Sequence, residues 1–133
     1  MEVREGMSSV ILVLGPDHSL REAATKMTEK GTGAALVFDD MSPAPRIITE
    51  RDVLKAVGTA KDPDAERVGD HMSDSVISAA PDWSLERAAA EMIQRGIRHL
   101  VVVDGGELVG VLSMRDIVRC WTSEGATSGM APP

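Results

Sequence analysis

Apolar positions along this chain follow two rhythms. Over residues 19–31 the spacing is helical: Leu20, Ala23, Ala24 and Met27 fall at i, i+3, i+4 and i+7. Ser19 stands where a helix is capped, Glu22 follows three residues on, and Gly31 closes the pattern. Short apolar runs at 11–14 and 35–38 flank it and read as buried strands, the first ended by Pro16-Asp17. The second half repeats the arrangement. Val76-Ile77 reads as a strand ended by Pro81-Asp82, Ser84, Leu85, Ala88, Ala89, Met92 and Gly96 lay out a helix, and 100–103 is a strand. There Asp104-Gly105-Gly106 predicts a tight turn into a strand at 108–112. The first half has Met41-Ser42-Pro43-Ala44-Pro45 at that place and predicts a stiffer, longer loop. Thr49 and Ser113 then open helices at 50–57 and 114–121. Each half is therefore strand, helix, hairpin, helix.

The likeness is a true duplication. A shift of 65 residues superimposes 13 identical residues in the 37 positions from Val3 to Asp39, where ordinary residue frequencies would give roughly two or three. Beyond Asp39 a shift of 64 lays Thr49-Glu50-Arg51-Asp52 on Ser113-Met114-Arg115-Asp116. Two copies of this length suggest a pseudo-twofold pair of βαββα repeats in a mixed α/β fold, and not an open array. The divisions expected are repeat 1 at 1–60, a polar linker at 61–67, repeat 2 at 68–121, and a small-residue tail at 122–133 with nothing to bury.

Composition narrows the function. A net charge of −7, no Tyr, one Phe and two Trp argue against a nucleic-acid surface, which needs clustered cations and stacking rings. No apolar run approaches the ~20 residues that span a bilayer, and the N-terminus lacks a signal-peptide pattern, so a cytoplasmic protein without membrane partners is expected. The single Cys120 forms no internal disulfide. His18, His71, His99 and Cys120 show no metal-ligand spacing, and no nucleophile-base motif or phosphate-binding P-loop occurs. Neither an enzyme nor a metal protein is expected.

What remains is the step written twice, Thr/Ser-x-Arg-Asp. One reading is a capping box, the hydroxyl accepting a first-turn amide and the acid facing the positive helix end, at about 1 kcal/mol per cap. The other uses the same geometry for a ligand. A phosphate can sit against the first-turn amides and the hydroxyl, the carboxylate can accept ribose hydroxyls, and Arg51 or Arg115 can turn toward phosphates. Spacing alone leaves both readings open.

Residues 68–118, VGDHMSDSVISAAPDWSLERAAAEMIQRGIRHLVVVDGGELVGVLSMRDIV, and less closely 3–57, resemble a tandem pair of cystathionine β-synthase (CBS) domains, the arrangement called a Bateman module. The resemblance implies a module that regulates or senses, commonly a homodimer, with two clefts built from both copies. In many members these hold AMP, ADP, ATP or S-adenosylmethionine, and no cofactor is required. Carried over residue by residue, one cleft would use Ser113, Arg115 and Asp116 with Ser9, Ile11, Gly33 and Ala34, and Arg98 near phosphate. The other would use Thr49, Arg51 and Asp52 with Asp74, Val76, Arg98 and His99. Gly33 and Ala34 would leave room for a base, whereas Arg98 and His99 would narrow their cleft, which favours the Asp116 site. The first copy departs from the pattern at Arg46, where the second has Gly110; Arg46 is expected to point outward as a solvated edge residue.

Two functions follow. One is a stand-alone sensor that binds an adenosine-containing ligand and signals to a partner protein. The alternative is a ligand-free dimeric interaction protein whose acids only cap helices.

Overall fold

The structure, a computed structural model, describes residues 1–127, apart from the side chains of Ser42 and of residues 124–127. Its elements run in order α1 (Val3–Gly6), β1 (Val13–Leu14), α2 (Leu20–Lys30), β2 (Ala34–Asp39), β3 (Ser42–Thr49) and α3 (Glu50–Gly58). A 3₁₀ turn (Val68–Asp70) leads to β4 (Ser78–Ala79), α4 (Leu85–Arg95), β5 (His99–Asp104), β6 (Glu107–Ser113) and α5 (Met114–Thr127). Two three-stranded sheets result, ordered β1-β2-β3 and β4-β5-β6, each with a parallel first pair and an antiparallel second pair. The mixed βαββα repeats expected from the sequence are present. Among the described residues no helix is long and apolar enough to cross a membrane.

Local chemistry accounts for the elements. Ser19 accepts from the Glu22 amide while Glu22 reaches back to the Ser19 N–H, so the capping box satisfies two donors at the start of α2. Both α2 and α4 end on a left-handed glycine, Gly31 and Gly96. Gly105 and Gly106 both have positive φ, the conformation a two-residue hairpin requires between paired Asp104 and Glu107.

Several boundaries differ from expectation. The strand placed at Val76-Ile77 forms at Ser78–Ala79, because Ile77 accepts from Val101 and pairing begins only after it. The proline stretch 41–45 is not a long loop: β3 starts at Ser42, opposite Asp39, and the register shifts between Val37 and Asp39. Pro43 and Pro45 lie in that shift, where the ladder needs no donor. Residues 122–127, assigned to the tail, continue α5, with the Thr122 hydroxyl donating 2.7 Å to the Val118 carbonyl. Residues 128–133 lie outside the described residues.

The units of packing are not the units of the repeat. One unit comprises Ile11–Val76, and the other joins Met1–Val10 to the chain from Ile77 onward. Fully buried Val3 packs with Leu85, Met92, Leu100 and Leu112, all of the second copy. Its counterpart Val68 packs with Leu14, Leu20, Val37 and Ile48 of the first. The bridges agree: Ser8 pairs with Val111 and Glu2 with Ser84 in one unit, as Ser73 pairs with Ile47 and Arg67 with Ser19 in the other. The stretch 61–67 is likewise bonded into its unit, Pro63 and Glu66 accepting from the first amides of α2.

Candidate functional site

The repeated step sits at the same place in each unit, where the last strand of the sheet passes into a helix. In the first copy the Thr49 N–H donates 2.8 Å to Asp52 Oδ2, the Thr49 hydroxyl lies 3.1 Å from that oxygen, and the Asp52 amide returns to the hydroxyl at 3.4 Å. In the second copy the Ser113 N–H donates 2.8 Å to Asp116 Oδ2 and the Asp116 amide returns to Ser113 Oγ at 3.0 Å. Both acids therefore hold their own helix starts through one oxygen. Asp116 Oδ1 also meets Arg119 at 3.0 Å, and Arg119 reaches on toward the Gly6 carbonyl. The i, i+3 spacing of Asp116 and Arg119 was visible in the sequence; that the pair forms beside the candidate site was not.

The remaining candidates divide between the two units: Ile11, Gly33, Ala34, Asp74 and Val76 lie in that of Thr49 and Asp52, and Ser9, Arg98 and His99 in that of Ser113 and Asp116. In the unit of residues 11–76, Ala34 pairs with Thr49 across the sheet, and Gly33 accepts from the Glu50 amide at 2.8 Å. Asp74 and Val76 lie on the segment docked to β3 by two backbone bonds between Ser73 and Ile47, with Val76 N–H donating to the Asp74 carbonyl. Ile11 precedes Leu12, whose carbonyl accepts from Leu36. In the other unit His99 pairs with Ser113, the Arg98 carbonyl accepts from Met114 at 2.8 Å, and Ser9 follows Ser8, which exchanges two backbone bonds with Val111. Arg51 and Arg115 are exposed on the first turns of their helices.

Two expectations change here. Arg46 is not a solvated edge residue: its side chain is 23% exposed, its Nε lies 2.7 Å from Asp74 Oδ1, and its Nη1 lies 3.9 Å from Asp39. The bonds between Ile47 and Ser73 bring Asp74 alongside it, a juxtaposition that spacing could not reveal. At the equivalent Gly110 a Cβ would lie 2.8 Å from the Ser8 carbonyl and 2.9 Å from Met7 Sδ. Glycine there permits a close approach that the first copy replaces with an ion pair. Nor is the space over Gly33 open, since the Glu50 carboxylate lies across it.

Comparison with known proteins agrees with this architecture. The CBS domain model matches residues 2–59 and 68–122. The CBS domain-containing protein YhcV of Bacillus subtilis is 30% identical over 130 residues, covering 96% of this chain and 91% of its own length. Uncharacterised proteins of Methanopyrus kandleri and Methanocaldococcus jannaschii are 36% and 32% identical, and the chain spans only 57% and 45% of their lengths. Among solved structures, a protein with CBS domains from Burkholderia ambifaria superposes with a TM-score of 0.79 at 34% identity over 87% of this chain and 85% of its own. A CBS domain protein from Pyrobaculum aerophilum, solved with AMP, superposes with a TM-score of 0.77 at 32% identity over 96% and 99%. With two matched copies over nearly its whole described length, this chain belongs to the CBS domain family.

Proposed function

We propose that the chain is a cytoplasmic, non-catalytic sensor that binds an adenosine-containing ligand, AMP, ADP, ATP or S-adenosylmethionine, and signals to a partner protein. The observation that carries this reading is the matched pair of helix starts. Each presents a hydroxyl, a carboxylate and first-turn amides beside backbone of a neighbouring segment, and the relative from Pyrobaculum aerophilum at 32% identity is described as complexed with AMP. A helix start favours phosphate, and a carboxylate oxygen that accepts one backbone bond keeps a second lone pair for a ribose hydroxyl. Ser9, Ile11, Gly33, Ala34, Asp74, Val76, Arg98 and His99 complete the sites in this reading, with Arg51 and Arg115 on phosphate. Homodimer formation fits the exposed apolar side chains at matching positions of the two last helices, Leu54 with Val118 and Val57 with Trp121.

Calorimetry with AMP, ATP and S-adenosylmethionine tests the reading on the wild type, Asp52→Ala, Asp116→Ala and the double variant. Asp116→Ala is expected to lose about 1.5–3 kcal/mol of affinity, the range for a hydrogen bond to a charged group. No heat with any ligand, or heat unchanged in the double variant, defeats it.

The engagement of both acids with their own N-cap amides favours a second reading, a ligand-free interaction module. It predicts that Asp→Ala lowers the melting temperature and that no nucleotide raises it in the wild type.

A further inference from the structure

Residues 1–8 dock on the rest of their unit through backbone bonds and one buried side chain. Val3 N–H donates 2.8 Å to the Trp83 carbonyl, Arg4 N–H 3.0 Å to that of Pro81, and Leu85 N–H 3.0 Å to that of Met1. Ser8 and Val111 exchange a further pair at 2.9 and 3.0 Å, and Val3 is fully buried. The other unit repeats each bond at the equivalent residues: Val68 N–H to His18, Gly69 to Pro16, Leu20 to Glu66, and a pair between Ser73 and Ile47. Only the covalent attachment differs. Residues 1–10 lead into the other unit at Ile11, whereas 68–76 are entered from residues 61–67 of the unit in which they dock. One docking mode under two attachments is set by its local contacts, so the segment need not come from the chain that supplies the dock. Its joint is accessible, Val10 being 72% exposed.

The dock is also selective. A Cβ built on Gly6 lies 3.1 Å from Cys120 Sγ and 3.5 Å from Leu112 Cδ1, so a larger residue there has to displace close-packed core. At the equivalent positions the other unit has His71 in the segment and Ala56 in the helix, a larger residue and a smaller one. Gly110 likewise admits the Ser8 carbonyl at a place where the other unit carries Arg46. The dock therefore fits residues 1–8 and rejects 68–73. We propose that residues 77–127 form a segment-binding site that accepts residues 1–8 of a second copy of this chain as well as its own, so that exchange of the segments joins two chains. The exchange is independent of nucleotide binding and of the exposed helix face at Leu54 and Val118. The tether gives the resident segment an effective concentration on the order of millimolar. Exchange therefore rises with protein concentration and is plainest where the resident segment is impaired.

A labelled peptide of residues 1–10 tests the dock in full-length chains whose own segment is impaired. Val3→Asp puts a charge at a fully buried position and expels the segment; Val3→Ala weakens the segment and keeps the fold. The peptide is expected to bind both variants, raising the melting temperature of Val3→Asp by about 5–10 °C at a hundredfold excess over its Kd and that of Val3→Ala by less. The wild type, its dock filled, should bind about tenfold or more weakly. A peptide of residues 66–75, which carries His71, should bind none of them. The second copy is tested by refolding equal amounts of Val3→Asp, which keeps an intact dock, and Gly110→Ala, which keeps an intact segment, and counting dimers by native mass measurement. Heterodimers should exceed the half that random pairing gives, whereas a dimer through the helix face would pair at random. No peptide binding by either Val3 variant, equal binding by the wild type or of the 66–75 peptide, or heterodimers at or below the random share overturns the inference.

Discussion

Asp116 has two tasks open to it and one already under way. Its Oδ2 accepts the Ser113 N–H, Ser113 Oγ accepts the Asp116 N–H, and the side chain is 14% exposed. Ser113→Ala is expected to cost about 1 kcal/mol of unfolding free energy, as loss of an N-cap does. Because the two bonds form one reciprocal box, Ser113→Ala with Asp116→Ala should cost less than the sum of the singles in chemical denaturation. The box at Ser19 adds a pH dependence. The Glu22 carboxyl is held below its ordinary 4.5, first by the Ser19 backbone N–H and then by its hydroxyl. A depressed folded-state pKa contributes stability that is complete above the unfolded value and lost as pH falls through the folded one. Melting curves from pH 6 down to about pH 3 should therefore show a shallower acid decline for Glu22→Gln than for the wild type. These boxes were legible because a hydroxyl and an acid three residues apart meet within one turn, whatever the rest of the chain does. Arg46 was not legible: its partner Asp74 is brought to it by backbone pairing between Ile47 and Ser73, which no local pattern encodes.

Secondary elements divide the same way between near and distant causes. Helices α2 and α4 could be read because cap, apolar stripe and terminal glycine lie within a dozen residues, and the hairpin at Gly105-Gly106 because its two positive φ values are a local demand. Strand β3 was misread because its prolines suggested a loop, whereas a register shift in the pairing with β2 gives them a place without a donor. Gly110 belongs with β3's surprises. Its missing side chain admits the Ser8 carbonyl, a neighbour 102 positions away in sequence, by the difference of the two residue numbers. Gly110→Ala would drive a methyl to 2.8 Å from that backbone oxygen, at a cost of about 1–3 kcal/mol for overpacking. Because two backbone bonds between Ser8 and Val111 sit at the same point, the strain should appear there. Amide hydrogen exchange at Ser8 and Val111 is expected to quicken more than at Leu100 or Leu112, and uniform quickening would assign the effect to global destabilisation.

For the whole chain, duplication was legible and exchange was not. Sequence identity pairs Val3 with Val68 but does not say whose core each enters, and the structure gives each to the other copy. The choice is made by burial. Val3 is fully buried among Leu85, Leu100 and Leu112, Val3 N–H bonds the Trp83 carbonyl, and Arg4 N–H bonds that of Pro81. The first ten residues thus serve as a missing layer of the unit that begins at Ile77, even though they precede the first copy in the chain. Removing residues 1–8 should therefore weaken the unit containing α4, β5, β6 and α5, not the unit containing the rest of the first copy. Val3→Ala alone should cost about 2 kcal/mol, as deletion of buried aliphatic carbon does, with exchange protection falling in 85–117 and holding in 20–56. Loss of protection in 20–56 with 85–117 intact would mean that the N-terminal segment supports its own copy, and the exchanged packing would have to be abandoned.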